Sequence, residues 1–143
     1  MRHASHALIL SILLLCGGAA AAEQAAGLNV LVTSPDRQAQ MMAMVLSSQA
    51  MKTHGKAVTI ILCASAGDLA LRSTETPSFP PLNKSPTMLL NKLLEMGATV
   101  VICPMYLPTT GNNTDDLIEG ITVGKPPVCA GQVLDKDYKN LTF

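Results

Sequence analysis

The stretch Gly97-Ala98-Thr99-Val100-Val101-Ile102-Cys103-Pro104-Met105-Tyr106 decides the fold. A β-branched apolar run bounded by a glycine and a proline has the pattern of a strand buried on both faces. Such strands belong to sheets with helices packed on either side, and in open sheets of that kind ligands gather at the carboxyl ends of the strands. The run delivers Cys103 to that end, which makes its thiol the leading candidate for the reacting atom.

Working outward, strands and helices alternate. Leu28 to Thr33 reads as a first strand, and Ser34-Pro35-Asp36 supplies an N-cap hydroxyl, a proline for the first helical position and an acid for the first turn. The helix that follows extends to about His54 and ends at Gly55, with Met41, Met44, Val45 and Ser48 on one stripe and Met42, Leu46 and Met51 near it. Ala57 to Cys63 is a second buried strand, again ending in a cysteine. Ala64 to Asp68 gives a tight turn into a short helical piece at Leu69 to Arg72, and the proline-rich Ser73 to Pro86 is a surface loop. Ser85-Pro86 opens another helix, whose Leu89, Leu90, Leu93, Leu94 and Met96 face the core until Gly97.

Beyond Cys103 the sequence predicts a loop through Pro104, Pro108 and Gly111, and a helix capped at Asn113 that runs to about Gly120. Ile121 to Val123 follows as a short strand or bend, then a helix opened by Pro126-Pro127 that carries Cys129, and a final strand at Leu141 to Phe143. Strands separated by helices of this length form parallel βαβ units, so the expected architecture is a three-layer α/β/α sandwich with a mainly parallel sheet.

The first residues have the pattern of a secretory signal peptide. Arg2, His3 and His6 make a basic start, Ala7 to Leu15 is an apolar run too short to span a bilayer, and Ala20-Ala21-Ala22 places the cut before Glu23. The expected organisation is a leader at 1–22 and one α/β domain at 23–143. Cys16 is not preceded by the small residue that a lipid-anchoring signal requires. Export to a bacterial periplasm fits this leader, with no membrane span after its removal.

With the leader gone, His54 is the only histidine, so a histidine-rich metal site cannot be built within one subunit. The whole chain has 10 basic and 10 acidic residues. They are scattered, which gives no footprint for nucleic acid or an anionic membrane surface. Two tyrosines and two phenylalanines are the only aromatic residues. The core therefore rests on aliphatic and methionine side chains.

Three segments together resemble the DsrE/DsrF-like family: Leu31-Val32-Thr33-Ser34 leading into a methionine-rich helix, Ile61-Leu62-Cys63-Ala64-Ser65-Ala66-Gly67-Asp68-Leu69-Ala70-Leu71, and Gly97 to Cys103. Leu117 to Val123, and Val133-Leu134 through Leu141-Thr142-Phe143, are similar too, so the resemblance covers the chain beyond the leader. It implies a small homo-oligomeric α/β protein of sulfur relay. A strand-end cysteine, here Cys103, would carry a persulfide between a donor and an acceptor, either proteins or small thiols. The family's well-understood relays are cytoplasmic, whereas this chain begins with an export signal.

The residues support related readings. A thiolate is the nucleophile, and backbone amides or a helix start aimed at sulfur lower a thiol's pKa. The loop after Cys103, leading to Asn113 or Thr114, is the expected source of such amides. Cys63 is a second candidate thiol. If its strand neighbours that of Cys103 the two can pair or share a soft metal, and if another strand intervenes they cannot. Three cysteines after the leader leave one unpaired in any scheme, and Cys129 reads as structural. Ser34, Asp36, Asp68, Met105 and Tyr106 face the same expected crevice. Alternative readings are a Cu(I) site built from Cys63, Cys103 and Met105, or a non-catalytic interaction subunit with inert thiols. No metal or cofactor is otherwise implied. Asp115 and Asp116 are first-turn acids rather than a catalytic pair, and no glycine-rich turn follows the first strand to cradle phosphate.

Overall fold

A computed structural model describes residues 24–143. The expected leader lies outside the described residues. Five strands form one sheet: β1 (Gly27–Val32), β2 (Ala57–Leu62), β3 (Thr99–Ile102), β4 (Ile121–Val123) and β5 (Tyr138–Thr142). Their order is β4-β3-β2-β1-β5 and every neighbouring pair is parallel. The helices are α1 (Arg37–His54), α2 (Pro86–Glu95), α3 (Tyr106–Thr110) and α4 (Pro126–Leu134).

From β1 to β4 the chain steps one way across the sheet, and right-handed crossovers place α1 and α2 together on one face, where they pack against each other. The step from β4 back past β1 to β5 runs the other way and carries α4 to the opposite face. The α/β/α architecture expected from the sequence is thus present.

The two faces are unequal. Val30, Val32, Val58, Ile60, Leu62, Val100 and Ile102 project from alternate strand positions onto α1 and α2, where Met44, Leu90 and Leu93 complete a fully buried core. Each large side chain there contributes about 1.5–3 kcal/mol. The intervening positions Asn29, Thr59, Ile61 and Val101 form the second face. Asn29 donates its amide N–H to Gln132 O and Asn140, and Asn140 donates to Val133 O at 2.7 Å, tying α4 down by polar contacts. No residue of α4 is buried, and Leu134 is 81% exposed.

Several local expectations are corrected. The cap of α1 is Asp36, whose carboxylate accepts the Ala39 N–H at 2.7 Å, while the Ser34 hydroxyl accepts the Asp36 N–H at 3.0 Å. Pro35 therefore precedes the helix instead of opening it. The buried stripe of α1 includes Gln40, Ala43 and Ser47, whereas Met42 and Leu46 are largely exposed. The segment after Cys103 folds into α3 despite Pro108, because a first-turn proline lacks only an N–H that would be unpaired anyway.

The helix expected from Asn113 to Gly120 is a single 3-10 turn at Thr114–Asp116. Leu117 is instead drawn into a bridge with Leu71, flanked by the bonds from Arg72 N–H to Asp116 O and from Ile118 N–H to Ala70 O. Burial of Leu117 and this pairing outweigh the local helical preference. After β2 a 3-10 segment begins at once, at Ala64–Ala70, entered through Ala64 at φ 48°. Ser85 and Gly55 do cap and close their helices as expected, and Ile121–Val123 is a strand.

Candidate functional site

β2 and β3 are neighbours, with Leu62 opposite Ile102 as their last registered pair. Cys63 and Cys103 are the next residues of each strand, and the ladder continues through them: Cys103 N–H donates to Leu62 O at 2.8 Å and Cys63 N–H to Val32 O at 2.9 Å. Leu62 and Ile102 point into the main core, so pleat alternation turns both cysteines toward the second face. The adjacency left open by the sequence is settled: no strand separates the two thiols.

Cys129, read from the sequence as a structural residue, joins them. It sits in the first turns of α4, whose opening prolines Pro126 and Pro127 suit positions that need no N–H donor. Gly124 at the end of β4 admits it, since a Cβ there would stand 2.9 Å from Cys129 Sγ and 3.3 Å from Ile102 O. All three thiols are free and partly buried. Burial, the charge of Cys103, a side-chain hydrogen bond with Cys103 and the charge of Cys129 push the Cys63 thiol up to about 11. Cys63 therefore keeps its proton at neutral pH. The spacing from Gly124 to Cys129, a small residue at a strand end followed by a cysteine one helical turn into the next element, is the sequence signal that would have located the third thiol.

Of the three cysteines, Cys103 lines a solvent-open hollow of about 330 Å³, together with Ala64, Ser65, Met105, Tyr106, Thr109 and Thr110. α3 builds one wall, starting where Tyr106 N–H donates to Cys103 O at 3.0 Å. The Tyr106 ring rests on Gly67, where any Cβ would overlap it. Burial, then the neighbouring Asp68 charge, raises the Tyr106 phenol above its usual range. Met105 is 65% exposed at the rim.

The other expected crevice residues have structural partners. Asp68 holds Arg37 through both carboxylate oxygens, at 2.8 and 3.4 Å. Arg37 also donates to Gln40 Oε1 at 2.8 Å, and Gln40 donates to Ser34 O at 2.8 Å. This network locks the turn after β1 to the 3-10 segment after β2. Ser34 lies within it and Asp36 at the helix cap. The amides near Asn113, expected to face Cys103, are engaged locally: Asn113 N–H donates to Asp116 Oδ2 and Asp115 N–H to Asn113 Oδ1. Among the described residues, no set of three His, Cys, Asp or Glu side chains is disposed to hold a metal ion, and no helix is long and apolar enough to cross a membrane.

A larger hollow of about 640 Å³ lies at the opposite, amino end of the sheet, bordered by Lys56, Lys136, Asp137 and Lys139. Lys136 is paired with Asp137 at 2.7 Å, and the hollow has no thiol or hydroxyl among its lining residues. The thiol cluster, at the carboxyl ends where α/β sheets place their chemistry, is the better-supported site.

No protein-family profile and no curated protein sequence matches the chain. Among solved structures it is similar to the ychN protein of E. coli, with a TM-score of 0.66 and 19% identity, covering 82% of this chain and 99% of that one. It is also similar to MTH1491, a protein of unknown function from Methanobacterium thermoautotrophicum, with a TM-score of 0.61, 12% identity and the same coverage. At these identities the likeness establishes the fold alone: a mainly parallel α/β domain like that of the ychN protein.

Proposed function

We propose that this protein carries sulfane sulfur as a persulfide on Cys103, as an exported sulfurtransferase or sulfur-carrier component. The observation that carries the reading is the position of Cys103, the strand-end thiol that alone of the three lines the solvent-open hollow. In loading, the Cys103 thiolate attacks the outer sulfur of a persulfide R–S–SH. The S–S bond breaks, R–S⁻ leaves, and Cys103–S–SH forms. In delivery, an acceptor thiolate attacks that terminal sulfur and Cys103 departs as thiolate, so no outside oxidant or reductant is consumed. The polar rim from Ser65, Thr109 and Thr110 suits a small thiol or the tip of a partner protein.

Export rests on the leader pattern and gives a periplasmic setting. Self-association is supported by α4, which leaves Val128, Val133 and Leu134 exposed over the thinner face of the sheet. Sedimentation of the purified protein tests it, with a single species larger than the monomer as the expected result.

The experiment for the function is intact mass read at once on loading with glutathione persulfide, before any later release of the sulfur, with Cys103→Ser alongside. A reducible gain of about 32 Da in the wild type, absent in the variant, is expected for one added sulfur. Equal gain in both proteins contradicts the assignment to Cys103. Gain in neither contradicts sulfur carriage and makes Cu(I) titration of Cys63, Cys103 and Met105 the next measurement.

A further inference from the structure

The carrier reading leaves Cys63 without a role, yet it sits directly beside Cys103. The two residues extend neighbouring parallel strands past the registered pair Leu62 and Ile102, and Cys103 N–H is bonded to the carbonyl immediately before Cys63. Neighbouring strands run about 4.8 Å apart. Disulfides bridge Cα separations of about 4.4–6.8 Å, so the spacing permits a bond without moving the sheet. Both side chains face the same side, and neither is committed to another disulfide.

We propose that Cys63 is a resolving thiol, which attacks the inner sulfur of the Cys103 persulfide and releases its outer sulfur as hydrosulfide, leaving a Cys63–Cys103 disulfide. The inference rests on Cys103 being the sulfur-loaded residue. The step balances internally: Cys63–SH and Cys103–S–S⁻ give Cys63–S–S–Cys103 and HS⁻. The persulfide S–S bond breaks and a new one forms. The outer sulfur is reduced to sulfide while the two cysteine sulfurs end as a disulfide, and the Cys63 proton passes to the leaving sulfur. Cys63 is protonated at neutral pH, so it becomes the attacking thiolate only as its proton passes to the outer sulfur of the persulfide anion, which then leaves as HS⁻. Reduction of the disulfide by an external dithiol then restores both thiols for another cycle. Cys129 faces the pair across Gly124 from α4, outside the strand register, and takes no part in the bond.

The full chain is loaded with glutathione persulfide, desalted, and followed by intact mass, sulfide release and disulfide mapping, with Cys63→Ser, Cys63→Ala and Cys129→Ser in parallel. Wild type and Cys129→Ser are expected to release one hydrosulfide per chain and to settle about 2 Da below the reduced mass, with Cys63 joined to Cys103. Both Cys63 variants are expected to retain the added sulfur. Retention of sulfur by the wild type as long as by the Cys63 variants overturns the resolving role while leaving the carrier reading intact. Failure of the Cys63 variants to load any sulfur overturns the carrier reading and this inference with it. A mapped disulfide that includes Cys129 overturns the assignment to Cys63.

Discussion

The ring of Tyr106 occupies the space that a side chain on Gly67 would fill. This contact fixes α3 against the 3-10 segment after β2 and so sets the mouth of the hollow in which Cys103 is reached. Gly67→Ala is expected to force the ring outward, at about 1–3 kcal/mol for overpacking. Chemical denaturation reads the cost, and alkylation of Cys103 reads the altered mouth. Unchanged stability together with unchanged alkylation would contradict the role given to this contact.

The clamp between Arg37 and Asp68 has unequal halves. Both side chains are 30% exposed, so the ion pair itself is worth only about 0–1 kcal/mol. Arg37 also satisfies Gln40 Oε1, and Gln40 is fully buried. Arg37→Ala is therefore expected to cost about 1–3 kcal/mol, the range for leaving a buried polar atom unpaired, and Asp68→Asn less. Denaturant midpoints of the two variants check the order.

Cys63 gives stability a dependence on alkaline pH. Its thiol titrates at about 11 in the fold against an ordinary value of 9.0. Between those values the unfolded chain has lost the proton that the folded chain keeps, so stability is fully present below pH 9 and declines as pH rises toward 11. Thermal melts across that window are expected to show the decline in wild type and a shallower one in Cys63→Ser. Parallel curves would contradict the protonated, crowded state of Cys63.

Gly124 and Cys129 are coupled by close approach, since a Cβ at 124 meets the Cys129 sulfur at 2.9 Å. Gly124→Ala alone is expected to destabilise, and the same change in a Cys129→Ala background to cost less, because the opposing sulfur is gone. Additive costs in the double mutant would mean that the two residues do not meet.

Much of this was legible in the sequence where one local rule dominates. The β-branched runs ending in Cys63 and Cys103 specified buried parallel strands, and Ser85, Gly55 and Gly97 marked helix ends that the fold keeps. What escaped depends on distant partners. Leu117 abandons its helix for Leu71, Gln40 is buried because Arg37 and Ser34 satisfy it, and Cys129 reaches the other thiols only because the crossover from β4 to β5 returns α4 over the second face. Periodicity cannot report such contacts, as it sees one element at a time. The short helix after Cys103 was hidden by Pro108, whose breaking effect does not operate in a first turn.

The most direct test of the central claim is to locate the sulfur. The protein is loaded with a persulfide whose outer sulfur is isotopically labelled, trapped at once with an alkylating agent, digested and mapped. The account predicts the label on the peptide containing Cys103. Label found chiefly on the Cys63 or Cys129 peptide, or spread evenly over the three, would contradict it.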